Sequence, residues 1–237
     1  MLVPRSNEAV SSPRLYDPDY VIDAVEQLVA QHGTDALTIR ALTKATGVSN
    51  GAIYRTFESR GGLLGRARIR AERRFLSLLA GAVDEAHERS AADPREAVHA
   101  AAETSLIYPE MYPGSAALLL TVGRNEVVTQ PMPRDVADQL AALQRELAAL
   151  ITQLAQRLWG RGDDDAVDLV ATCIVDLPKW IAVRGKRYSM PVMRDYLRAA
   201  VRSVLSVGPP TNAGRELVAV GGHQRGVGAA SASSTVA

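Results

Sequence analysis

Apolar residues recur along most of this chain at helical spacing, and no stretch of weight alternates in the manner of a strand. Val21, Ile22, Val25, Leu28 and Val29 form an amphipathic stripe over 20–31. Asp17 or Asp19 opens it, Pro18 fits its first turn and Gly33 closes it. The stretch 38–57 then carries two short helical runs that meet at Gly47-Val48-Ser49. Ile39, Leu42 and Ala45 share one apolar face, and Ala52, Ile53 and Phe57 share another. Thr38 and Ser49 each stand where a hydroxyl can accept a hydrogen bond from an orphan amide at a helix start. Gly47 stands where a helix ends in the left-handed conformation that glycine adopts cheaply. Two helices across a tight glycine turn make a helix-turn-helix. The second, over 50–56, exposes Asn50, Gly51, Tyr54 and Arg55, an acid-poor face suited to a DNA groove.

The rest of the pattern predicts a larger helical body. Ser59 caps a long helix over 60–89, with Leu64, Ala67, Ala71, Phe75, Leu78, Ala82 and Ala86 on its inner face. Thirty residues span about 45 Å, enough to connect a reading head to a separate body. Further helices are predicted over 94–107, 115–122, 135–159 and 164–183, the last kinked at Pro178, and a final one follows Ser189. A kinked Tyr-Pro-Glu-Met-Tyr-Pro stretch occupies 108–113, and 125–133 reads as a loop. Segments 1–16 and 208–237 lack any period, so a flexible arm and a disordered tail are expected. Arg5 and Arg14 on the arm are placed to reach a minor groove. The expected fold is all-α, about nine helices, with a three-helix, homeodomain-like helix-turn-helix DNA-binding domain over 17–62 and a larger helical body over 63–207.

Charge sharpens this division. The chain is 237 residues long, 47% hydrophobic and carries a net charge of +1. Segment 38–74 holds nine basic residues (Arg40, Lys44, Arg55, Arg60, Arg66, Arg68, Arg70, Arg73, Arg74) against Glu58 and Glu72. A basic head on an acidic remainder points to a polyanion partner for the head alone. Arg60 lies near the reading helix, where phosphate contact is expected. Arg70 stands about 15 Å further along, beyond the screening length of about 8 Å, so Arg70, Arg73 and Arg74 read as a solvated face. The single cysteine, Cys173, excludes an intrachain disulfide and reads as packing. Neither a signal-peptide core nor an apolar run of about 20 residues is present, so a soluble, cytoplasmic protein without membrane association is expected.

The string V-I-D-A-V-E-Q-L-V-A-Q-H-G-T-D-A-L-T-I-R-A-L-T-K-A-T-G-V-S-N-G-A-I-Y-R-T-F-E-S-R-G-G-L-L resembles the tetracycline-repressor (TetR) family of one-component bacterial regulators. The spacing of Gly33, Thr38-Ile39-Arg40, Gly47-Val48-Ser49, Gly51, Tyr54, Phe57 and Leu63-Leu64 carries the likeness, over about a fifth of the chain. The resemblance implies a homodimer on a near-palindromic operator of double-stranded DNA, with a ligand pocket in the body. By that likeness Thr38, Tyr54 and Arg60 hold phosphates, while Asn50, Ala52 and Arg55 face bases. Gly51 then allows close backbone approach, and Arg40 and Ser49 complete the expected DNA-facing set. Thr56 stands where the family often has histidine, which removes one phosphate contact. Gly61-Gly62 replaces the usual helix-favouring residues; at about 1 kcal/mol each in a helix interior, they predict a soft joint between head and body.

In the body, dimer contact is expected from Val170, Ile174, Leu177, Trp180, Ile181, Leu197, Val201 and Val204, more apolar surface than one internal face buries. The pocket is expected among Phe75, Leu79, Leu106, Met111, Tyr112, Leu119, Leu147 and Ile151, and its aliphatic lining suits an apolar or amphipathic small-molecule effector. Chemistry has little support. His32, His87, His99 and His223 are scattered, and His99 with Glu103, four residues on, makes too small a ligand set for zinc and reads as a solvated pair. No enzyme, metal or cofactor is expected. Three functions compete: a repressor released by a small molecule, a DNA-binding regulator or activator without a ligand, and a helical enzyme or scaffold that merely retains the head. The basic head disfavours the third.

Overall fold

The computed structural model describes residues 17–33, 37–90, 93–184 and 190–210, and every regular element among them is helical. In order they are α1 (Pro18–His32), α2 (Ile39–Thr46), α3 (Asn50–Phe57), α4 (Arg60–Arg89), α5 (Pro94–Met111), α6 (Pro113–Thr121), α7 (Arg124–Val128), α8 (Arg134–Trp159), α9 (Asp164–Ala171), a π-helical turn (Thr172–Asp176), α10 (Leu177–Arg184) and α11 (Met190–Val207). The arm that carries Arg5 and Arg14, the cap at Ser189 and the tail beyond Pro210 lie outside the described residues.

Local chemistry sets the boundaries of the head. Thr38 Oγ1 accepts from the Ala41 amide at 3.1 Å, and Ser49 Oγ accepts from the Ala52 amide at 3.3 Å. Gly47 ends α2 at φ 71°, where a side chain would be strained. Val21, Val25, Leu42, Ile53, Phe57 and Leu63 all bury to 1% exposure or less. Each such side chain contributes about 1.5–3 kcal/mol by leaving water. Ala45 departs from the expected face: it is exposed, and Val48 in the turn packs in its place.

α4 is the spine of the molecule, packed along α5 and α8 and touching α1, α6 and α7. Of the arginines expected as a solvated face, Arg73 is exposed, while Arg70 and Arg74 are drawn inward. Glu26 of α1 is buried, and Arg70 Nε donates to its Oε1 at 3.1 Å while Arg74 Nη1 donates to its Oε2 at 3.2 Å. Ser115 on α6 donates to Glu26 Oε1 at 2.8 Å and accepts from Arg74 at 3.0 Å. Asp23 pairs with Arg70 at 2.8 Å, and Arg73 donates to Gln139 of α8 at 2.7 Å. These contacts tie α1 of the head to α4 and α6 of the body.

The joint after α3 is tight rather than soft. A β-carbon on Gly61 would stand 2.4 Å from the Pro131 carbonyl oxygen, and one on Gly62 would stand 2.0 Å from the Phe57 carbonyl oxygen. Ser59 accepts from the Gly62 amide at 2.9 Å and donates to the Pro131 carbonyl at 2.8 Å. Gly61 is crowded by the backbone at Pro131, and Gly62 by the Phe57 carbonyl and the Pro133 ring. The preceding residues, expected as loop, hold the short helix α7.

Two prolines behave differently from expectation. α5 continues through Pro109 to Met111, although the proline has no amide to donate to the carbonyl four residues back, that of Ser105. Tyr108 meanwhile anchors that turn by donating to the Ala71 carbonyl at 2.7 Å. Pro178 cannot bond the carbonyl four residues back, that of Ile174. The helix opens into a π turn just before it, and Ser105 of α5 donates to the Ile174 carbonyl at 2.9 Å instead.

Two stability outcomes follow. Gly62→Ala lowers stability by about 1–3 kcal/mol, the cost of overpacking, although helix propensity alone would raise it; urea denaturation reads the sign. Glu26→Ala removes the shared partner of two partly buried arginines and costs about 3–5 kcal/mol. A loss in urea below about 1 kcal/mol, the level of an exposed pair, would show that the network is not a clamp.

Candidate nucleic-acid interface

The reading face is built by three elements. α2 and α4 pack against α3, whose Ile53 and Phe57 are buried, which leaves the other side outward. Asn50, Gly51, Tyr54 and Arg55 are exposed on α3, with Ala52 half-buried among them. Thr38, Arg40, Lys44 and Ser49 are exposed beside them on α2 and its flanks, and Arg60 is exposed at the start of α4. Thr38, Arg40, Ser49, Asn50, Gly51, Tyr54, Arg55 and Arg60 are thus all exposed on the head.

Orientation on this face is specific. Thr43 Oγ1 donates to Asn50 Oδ1 at 2.6 Å, which holds the asparagine against α2 and leaves its amide nitrogen as the outward donor. Thr38 and Ser49 use an oxygen lone pair as caps, and a hydroxyl keeps its proton for an external acceptor while doing so. A β-carbon on Gly51 would meet nothing within 4 Å, so no internal contact asks for glycine there. Glu58, at φ 63°, reverses the chain between α3 and α4.

The charge that marked the head needs redistribution. Of the nine basic residues in 38–74, Arg66, Arg68, Arg70, Arg73 and Arg74 are engaged with Asp135, Glu72, Glu26, Gln139 and Glu26 respectively. Arg40, Lys44, Arg55 and Arg60, with Glu58 as the nearby acid, remain for the exposed surface.

The body holds a cavity of about 330 Å³ between α4, α5, α6, α7, α8 and α10. Phe75, Leu119 and Leu147 line it as expected, with Tyr108 of the Tyr-Pro-Glu-Met-Tyr-Pro stretch, and Arg68, Glu72, Ser105, Arg124 and Lys179 join them unforeseen. Tyr108 stands edge-on to Phe75 at 5.4 Å between ring centres, and burial pushes its hydroxyl up to about 12. The other predicted lining residues are displaced. Leu79, Leu106 and Ile151 pack into the core, because each sits one helical face away from the opening. Met111 is exposed, and Tyr112 lies under the Arg74 guanidinium at 4.9 Å, outside the lining.

The expected dimer set also divides. Val170, Ile174, Leu197 and Val201 are fully buried within the protomer, so they cannot face a partner. Leu177, Ile181 and Val204 are half-buried and Trp180 is 60% exposed. Val192 and Tyr196 are exposed as well. His99 is buried rather than solvated, and burial lowers its basicity. Glu103 pairs instead with Arg198 at 3.2 Å. Among the described residues no cluster of His, Cys, Asp and Glu suits a metal, and no helix is long and apolar enough to cross a membrane. Cys173 is buried, and desolvation pushes its thiol up to about 12, as befits a packing residue.

A short recognition helix presented by a helix-turn-helix, on an otherwise helical body, defines a DNA-binding transcriptional regulator. Residues 21–67 match the family model described as bacterial regulatory proteins, tetR family, and that match spans the helix-turn-helix head. Among solved structures, a transcriptional regulator from Rhodococcus sp. Rha1 is 20% identical with a TM-score of 0.59, over 83% of this chain and all of that one. A TetR-like transcriptional regulator from the same organism is 18% identical with a TM-score of 0.59, over 82% of this chain and 98% of that one. The TetR family transcriptional regulator PfmR from Thermus thermophilus is 18% identical with a TM-score of 0.56, over 83% of this chain and 99% of that one. No curated protein matches the chain in sequence.

Gly51→Ala separates an external role for this glycine from an internal one. Its melting temperature is expected to hold or rise, since alanine favours a helix by about 1 kcal/mol. Its affinity for operator DNA in a gel shift is expected to fall about tenfold, the size of one lost base contact. Unchanged DNA affinity would remove the close-approach role.

Proposed function

We propose that the chain is a dimeric repressor that holds a near-palindromic operator and leaves it when a small molecule fills the body cavity. Thr38, Tyr54 and Arg60 contact phosphates in this reading, with Arg40 and Ser49 beside them. Asn50, Ala52 and Arg55 face bases, where the asparagine amide and the arginine fork can read adenine and guanine edges. One short helix offers few base contacts, so two heads spaced at about 34–36 Å supply the specificity. Trp180, Val192 and Tyr196 are large and exposed on α10 and α11, and they supply the dimer surface, flanked by Leu177, Ile181 and Val204.

One observation carries the release step. Arg124, on the cavity wall, belongs to α7, and the chain leaving α7 is the segment that packs on Ser59 and Gly61 at the head–body joint. A ligand that moves α7 therefore moves the support on which α3 and α4 meet. It shifts the DNA equilibrium only as far as it favours the released arrangement over the bound one.

A gel shift on the intergenic DNA upstream of the coding region tests the first half. Wild-type protein is expected to bind with a strong salt dependence, and Tyr54→Ala with Arg55→Ala to lose at least tenfold, about the worth of one base or phosphate contact. Equal binding by the double variant would sink the assignment of this face. Trp180→Glu with Tyr196→Glu is expected to sediment as a monomer with its helical signal retained; a dimer would place the interface elsewhere.

A further inference from the structure

The cavity named above as the effector site is not charge-neutral. Arg68 Nε donates to Glu72 Oε1 at 2.7 Å, and a second nitrogen of Arg68 donates to the Val122 carbonyl. Arg124 Nη1 donates to both carboxylate oxygens of Glu72, at 2.7 and 2.8 Å, and its other terminal nitrogen donates to the Leu140 carbonyl. One buried carboxylate thus serves two guanidiniums. Lys179, across the opening on α10, forms no ion pair among the described residues. The wall carries three cations against one acid, and Arg68 and Glu72 keep only 10% and 11% of their side-chain exposure. Uncompensated positive charge in such a place is costly once water is displaced. A neutral occupant leaves that cost in place, and a cationic one increases it.

Much of the remaining lining is apolar, with Phe75, Ala116, Leu119 and Leu147. At about 30 Å³ for each water-sized unit, a volume near 330 Å³ seats about eleven non-hydrogen atoms. We infer that the effector is a carboxylate-headed amphiphile of about ten carbons, its head at Arg124 and Lys179 and its chain along Phe75, Leu119 and Leu147. This rests on the reading of the cavity as the effector site. A single negative charge offsets the excess with the least repulsion from Glu72, and a carboxylate matches the guanidinium fork. The head also competes with Glu72 for Arg124, which places the ligand's charge on the helix that leads to the joint.

Calorimetry on the full chain with decanoate, 1-decanol, decylamine and decyl phosphate tests the class. Decanoate is expected to bind at least about tenfold tighter than decanol, the worth of a charge-assisted contact, and decylamine not at all. Lys179→Glu, at an exposed position, and Arg124→Gln are each expected to weaken decanoate by roughly tenfold and leave decanol unchanged. Decanol or decylamine binding as tightly as decanoate, decyl phosphate binding more tightly, or no binding by any of the four overturns the class. Decanoate affinity that survives both substitutions overturns the placement. Gel shifts with the same compounds separate this inference from the release reading. Decanoate that binds without releasing DNA supports the class and sinks release. Release by decanol or decylamine but not by decanoate overturns the class and keeps release.

Discussion

A buried carboxylate on the first helix organises how this molecule is held together. Glu26 sits between two arginines of α4 and a serine of α6. A charge taken from water is tolerable only where partners saturate it, so the position of α1 against α4 is set by hydrogen-bond geometry as well as by apolar packing. The head is therefore not a bead on a flexible tether. Its first helix is locked to the spine, and its last helix runs into the spine through a turn closed by Ser59.

The second half of that lock is steric. Gly61, Gly62 and Gly65 let backbone and side chains from residues 131–136 lie directly on the first turns of α4. Protein interiors transmit displacement because they are packed to near-crystalline density. A shift of α7 by a fraction of an ångström is therefore felt at the α3–α4 turn, with no cushion between. The segment leaving α7 thus runs from the cavity wall at Arg124 to a direct contact with Ser59 and Gly61.

The cavity itself combines two chemistries that serve different ends. Its apolar wall rewards any ligand of the right size, in proportion to area. Its cationic wall discriminates by charge, because a desolvated mismatch costs more than a lost contact. Ser105, which satisfies the carbonyl freed by Pro178, lines the same space and keeps the π turn from presenting an unpaired polar group to it. A proline that would kink a helix thus sets the wall that carries Val175 and Lys179.

Much of the head was legible in the residues, because its signals are local. The caps at Thr38 and Ser49, the turn glycine and the outward face of α3 each depend on neighbours within about one turn of helix. Glu26 also left a trace, an acid four residues after Ile22 inside an otherwise apolar stripe, though nothing local names its partners. What periodicity reports is that a face is buried, and it is silent on what buries it. Arg70 and Arg74 looked solvated because Glu26 is more than forty residues away, and Gly61-Gly62 looked soft because Pro131 is seventy away. Leu79, Leu106, Val170 and Leu197 share the apolar spacing of pocket or interface residues, and only packing assigns them to the core. The sequence by itself determined the long helices, the caps of the head and the chemistry of the reading face. Tertiary structure decided which arginines meet acids, where the cavity opens and which apolar side chains stay outside, since those outcomes depend on distances between segments that propensity does not encode.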